Sequence, residues 1–88
     1  MKRPETLLET APYMIDERFE IRLIGEYFQT KIRLEKLKEY FSGRIIGFCD
    51  DTMNKIMYRQ MQAMDMYVEA MKERIFYLGI DRNIEGGL

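Results

Sequence analysis

Seven apolar residues, Met57, Met61, Met64, Val68, Met71, Ile75 and Leu78, follow one another at spacings of 4, 3, 4, 3, 4 and 3. That is a heptad seam, and an α-helix is the element that keeps it on one face. A second seam of similar length runs through Leu23, Tyr27, Thr30, Leu34, Leu37 and Phe41 at spacings of 4, 3, 4, 3 and 4. Between the seams Gly43 and Gly47 bracket Ile45 and Ile46, with Phe48 beyond, a composition that reads as an ordered loop. Matched seams joined by a short loop predict an antiparallel helical hairpin.

The helix ends are marked by their usual residue types. Asp16 is the best N-cap for the first long helix, with Glu17 favourable beside it, and Gly43 is its natural stop. Asp50 or Asp51 starts the second long helix and Gly79 ends it. Pro4 suits a first helical turn, so a short helix is predicted over residues 5–9. Pro12 pushes Ala11 out of the helical region and ends any helix before it. The whole reads as one domain over residues 1–88: an N-terminal segment with a short helix (1–13), two long helices (16–42 and 50–78) and a fraying tail (79–88). The fold class is all-α, a short N-terminal helix plus a long antiparallel helical hairpin.

Size and composition say what must hold such a chain together. A domain this short buries only about 60–65% of the surface its unfolded chain exposes, and it usually needs a disulfide, a metal or a partner. Cys49 is the single cysteine, so there is no intrachain disulfide, and the chain has no histidine, so zinc patterns that need one are excluded. Oligomerisation is the staple that remains. The missing histidine also excludes the usual general base and the triads built on it. With 14 basic against 15 acidic residues the chain has no whole-molecule attraction for DNA. No apolar run reaches the ~18 residues of a membrane span. The start, Met1-Lys2-Arg3-Pro4-Glu5, has no apolar stretch behind its charges and does not read as a secretory signal. A lone cysteine and eight methionines suit a reducing cytoplasm.

The first long helix carries a further apolar stripe, Ile21, Ile24, Phe28 and Ile32, on its N-terminal half. Two readings are open. The short N-terminal helix folds over it with Leu7 and Leu8, or it is a protein–protein interface. The marginal stability of an isolated hairpin favours the interface. A helical-hairpin adaptor, gripping another protein through these residues, is accordingly an alternative function.

No catalytic motif is present. Gly43 and Gly47 lack the Gly-Lys-Ser/Thr ending of a phosphate loop. Cys49, with no histidine to activate it, reads as a small buried apolar residue, and N-capping accounts for Asp50 and Asp51 better than a cation site does. The crowded methionines of the second helix lie mostly on its seam, so core packing is their default role. Tyr13 sits in the break after Pro12, outside both long helices. It is either a stacking platform for a planar ligand or a staple over the first long helix. Lys31, Arg33, Lys36 and Lys38, interleaved with Glu35 and Glu39, form a solvated face, except that Lys31 lies near surfaces expected to be covered. Thr30 is the one polar residue of its seam and offers either register or a hydroxyl for a ligand. Lys55 and Arg59, one helical turn apart, make a small cationic pair for which solvent exposure is the simpler account.

Residues 13–26 read YMIDERFEIRLIGE, in which Tyr13 is followed at fixed offsets by Glu20, Ile21, Leu23, Ile24 and Glu26. This resembles the phage-encoded sponges that block cyclic-oligonucleotide-based antiphage signalling (CBASS), above all the version carried by large T4-like phages. The resemblance extends to length, hairpin plan and methionine-rich second helix. It implies a homohexamer that sequesters cyclic dinucleotides such as 3′,3′-cGAMP in pockets between protomers, without cleaving them, in the cytoplasm of the infected bacterium. Some members also bind cyclic trinucleotides at separate sites. With the composition read above, the expectation is no cofactor, no metal, no DNA and no membrane. By the same resemblance Tyr13 stacks on a base, Thr30 serves the trinucleotide, and Lys55 or Arg59 supplies a cation. Two residues before that threonine the family carries a lysine, where this chain has Phe28; Lys31 is the nearest cationic substitute.

Overall fold

The computed structural model describes residues 1–44 and 50–88, and among them every regular element is helical. Helix α1 spans Leu7–Met14, α2 Phe19–Glu39 and α3 Asp51–Leu78. A π-helical turn, Tyr40–Arg44, continues α2, and a 3₁₀ turn, Ile80–Asn83, follows α3. The α2–α3 pair is antiparallel. Tyr40 at the end of α2 donates its hydroxyl to Asn54 Oδ1 on the first turns of α3 at 2.7 Å, whereas Glu26 near the start of α2 accepts from the Tyr67 hydroxyl. The loop read around Gly47 and the buried role read for Cys49 lie outside the described residues.

The cap of α3 is the one its sequence suggests. The Asp50 side chain accepts from the Met53 N–H at 2.7 Å, and at the other end Gly79 adopts φ +70°, its N–H donating to the Ile75 and Phe76 carbonyls. The start of α2 differs from expectation. Its first residue is Phe19, and its N-cap position, Arg18, makes no side-chain cap bond. Asp16 binds Arg18 instead, accepting from the backbone N–H at 2.8 Å and from Nε and Nη2 at 3.1 Å each. The Arg18 guanidinium holds the Asp16 carboxyl below the ordinary carboxylate range. Arg22 closes the same turn by donating to the Asp16 and Glu17 carbonyls at 2.8 Å each. Nor does Gly43 stop the helical winding, which continues through Arg44.

The N-terminal helix also departs from expectation. Pro12 does not end it: α1 runs through Pro12 to Met14. Thr6 caps its start, accepting from the Glu9 N–H at 3.2 Å, while Glu9 Oε2 accepts from the Glu5 N–H at 3.3 Å, a two-way cap at one helix end. Proline removes a single ladder donor here, and the helix stops two residues later. Packing overrides the local penalty. Thr10 is fully buried, and Tyr13 lies so close to α2 that a Cβ added at Gly25 would sit 2.6 Å from Tyr13 Cβ and 3.2 Å from its carbonyl carbon. The crossing of α1 over α2 therefore depends on Gly25 having no side chain.

That crossing decides the fate of the second apolar stripe. Ile24 is 1% exposed and Phe28 2%, both inside the chain. The expectation that they form an uncovered interface is corrected: the N-terminal segment lies over them. Ile21 and Ile32, at the edges of the stripe, are half-buried. Leu8 contributes nothing to this cover and points to solvent. The core continues from Leu23, Tyr27 and Leu34 on α2 to Val68, Met71 and Ile75 on α3. The tail does not fray: Ile84 is buried in the same core, and the Glu85 N–H donates to the Met1 carbonyl at 2.9 Å.

Candidate ligand-binding site

The N-terminal segment carries polar chemistry across the buried stripe. The Tyr13 hydroxyl donates to the Lys2 carbonyl at 2.6 Å, which ties the segment to α1. The next residue, Arg3, lays its guanidinium 5.4 Å from the centre of the Phe28 ring, and Phe28 meets Tyr27 edge-on at 5.1 Å. One turn along α2, Lys31 Nζ donates to the Leu88 main-chain oxygen at 2.6 Å and stands 5.8 Å from the Tyr27 ring centre. A small cavity of about 100 Å³ lies between Arg3, Phe28, Lys31 and Glu35. Partial burial, then the charge of Arg3, and further the charge of Lys72, push the Lys31 ammonium below the ordinary lysine value; Glu35 opposes them only in part. The cavity lining carries two cations, Arg3 and Lys31, and two carboxylates, Glu5 and Glu35.

Of the residues singled out in the sequence, Phe28 and Lys31 line this cavity, and Tyr13 is joined to the same N-terminal segment through the Lys2 carbonyl. Tyr13, Thr30 and Lys31 are half-buried. Of the two roles left open for Tyr13, the packing of its Cβ on Gly25 is that of a staple over α2. Phe28 is the exception, covered by Arg3 and closed to any planar partner in this arrangement. Lys55 and Arg59 are elsewhere. They are exposed on the first turns of α3, lining an open groove of about 790 Å³ with Thr52, Ile56 and Tyr58. Those turns pack beside Tyr40, fifteen residues along α2 from the Gly25 crossing, or about 22 Å at the helical rise.

Three contributors were not singled out in the sequence. Arg3 was read only as part of a charged start. Lys72, on α3, was not considered. Gly25 did carry a signal, because a glycine inside an apolar-periodic helix points to a close backbone approach.

The sequence has no histidine, and among the described residues no cluster of acidic or cysteine side chains is placed to hold a metal ion. Among the described residues no helix is long and apolar enough to cross a membrane.

Neither a curated protein nor a solved structure matches the chain. A family model does: Sequestin, over residues 17–77. The match takes in α2 and α3 up to Tyr77, well over half of the chain. The protein therefore belongs to the Sequestin family, the phage anti-CBASS sponges that bind cyclic oligonucleotides rather than act as enzymes.

Proposed function

We propose that this protein sequesters cyclic dinucleotides, 3′,3′-cGAMP among them, and holds them uncleaved in the cytoplasm of the infected host, so that the CBASS effector they would trigger stays silent. The observation that supports this reading is that the N-terminal segment brings Tyr13 and Arg3 over α2, with Arg3 and Lys31 lining one small cavity. A cyclic dinucleotide presents two phosphodiesters and two planar bases. It needs cations and flat side chains, with no general base.

Each residue then has a stated task. Tyr13 stacks on a base. Lys31 contacts a phosphate, with Arg3 beside it, in place of the lysine that the family carries where this chain has Phe28. Phe28 supports Arg3 from below. Thr30 offers its hydroxyl to a larger, cyclic trinucleotide ligand at a separate position. The protein works as a homo-oligomer, a hexamer by family likeness, with ligand between protomers. Lys55 and Arg59 are too far along the hairpin to meet Tyr13 on one small ligand within a single chain. The adaptor alternative loses its support, because two of its four gripping residues, Ile24 and Phe28, are inside the fold.

A thermal-shift panel tests the ligand class. A ligand that binds only the folded state adds about 2.7 kcal/mol at a hundredfold excess over Kd, a rise of roughly 10 °C or more in Tm for a domain of this size. Cyclic dinucleotides are expected to give that rise and the matching linear dinucleotides to give little. Equal shifts from both, or none from either, would speak against the reading.

A further inference from the structure

Beyond the 3₁₀ turn the chain comes back to α2. Ile84 is buried in the core and the Glu85 N–H donates to the Met1 carbonyl, so this stretch is anchored. Gly86 and Gly87 then turn it, at φ +81° and +70°, with the Gly87 N–H donating to the Ile84 carbonyl at 3.2 Å. Both angles lie in the left-handed region, which glycine enters without steric penalty. The turn sets the Leu88 main-chain oxygen against α2, where two donors meet it: Lys31 Nζ at 2.6 Å and the Tyr27 hydroxyl at 3.4 Å.

An ammonium and a phenol hydroxyl converging on one oxygen also make the pair of donors that a phosphate oxygen accepts from. Tyr27 is 2% exposed, and burial pushes its phenol up, so it stays a protonated donor at neutral pH. Lys31 is half-buried, and it also lines the small cavity beside Arg3. Donors withdrawn from water in this way lose stability when no acceptor is in place. The Leu88 oxygen supplies the acceptor, and the half-buried Leu88 side chain packs on the core beside it.

We propose that the Leu88 oxygen is a stand-in for a ligand phosphate: residues 85–88 latch a two-donor site made by Tyr27 and Lys31, and a phosphodiester oxygen enters by displacing the latch. This rests on the reading of Lys31 as a phosphate contact, and it adds Tyr27 to that contact. The anchor at Ile84 precedes both glycines, so the latch opens at the Gly86–Gly87 turn with the core in place. The site is then competent only in molecules whose latch is open, and apparent affinity is reduced by that fraction.

Gly86→Val and Gly87→Val are the test, with circular dichroism to show that the helices are kept. A Cβ at either position meets nothing within 4 Å, so each change acts through backbone strain alone. Two readouts are taken. Acylation of Lys31 by a small amine reagent, followed by mass spectrometry against the exposed Lys36 and Lys38, needs no ligand and should rise several-fold in both variants. Cyclic-dinucleotide affinity by calorimetry should rise about five- to thirtyfold, the strain of a left-handed residue expressed as an equilibrium. In a Lys31→Met background the added Gly87→Val change should leave affinity level, because the latch has no ammonium left to mask. Unchanged Lys31 labelling would overturn the latch. Raised labelling with level or weaker affinity would show that Leu88 and the ligand do not compete, and a gain that persists in Lys31→Met would place the effect elsewhere; either overturns the proposal. Raised labelling with no binding by the wild type or any variant would refute the sequestration reading and leave the latch over Lys31 supported.

Discussion

Ile24→Glu is expected to unfold the protein, not to release well-folded monomers. The side chain is 1% exposed, enclosed between α2 and the N-terminal segment. Ile24 sits in an apolar core with Leu23, Tyr27 and Phe28, and burying an unpaired charge there costs several kcal/mol. A small domain has few to lose, since a single core of this size rarely supplies more than about 3–5 kcal/mol. Ile24→Ala, which removes apolar contact without adding charge, should cost about 2–5 kcal/mol. Urea unfolding followed by circular dichroism checks both. Full wild-type helicity in Ile24→Glu, together with a reduced mass, would show that the residue belongs to an interface after all.

Tyr13→Ala is expected to weaken cyclic-dinucleotide binding by ~1–3 kcal/mol, a factor of about ten to more than a hundred. The ring is half-buried on α2, so the same change also lowers stability; the informative quantity is the affinity of the folded fraction. Tyr13→Phe separates the roles. It keeps the stacking face and loses the hydrogen bond to the Lys2 carbonyl, at a cost of about 1 kcal/mol in stability. Stacking therefore predicts near-wild-type affinity for the phenylalanine variant and a large loss for the alanine variant. A pure staple predicts losses in Tm for both, with affinity level across the series. Calorimetry at a temperature where all three proteins are folded distinguishes the two.

The hairpin was legible because its signal is periodic and self-reinforcing. The seam from Met57 to Leu78 spans seven apolar positions, and caps at Asp50 and Gly79 frame it. The cover over Ile24 and Phe28 was not legible. A proline in a short segment argues locally for a break, and only the packing of Tyr13 on Gly25 shows why α1 continues through it. The same holds for the tail. Gly86 and Gly87 suggest fraying, yet one apolar residue, Ile84, finds a place in the core and brings Leu88 to Lys31. Asp16 misled for a related reason: Arg18 two residues later outcompetes the helix backbone for its carboxylate.

The candidate site divides along the same line. Tyr13, Thr30 and Lys31 were reached from sequence pattern and family likeness, whereas Arg3 emerges only when the chain start is laid over Phe28. A cation separated by twenty-five positions from the ring it covers leaves no periodic trace.

The most direct test of the sequestration account is a single titration followed by recovery. Cyclic dinucleotide is titrated into the wild-type protein by calorimetry, the saturated complex is incubated and heat-denatured, and the released nucleotide is identified by chromatography. The account expects saturable binding and full return of the intact cyclic form, whatever the incubation time. Absence of binding, or a linear dinucleotide that accumulates with time and protein concentration, would contradict it.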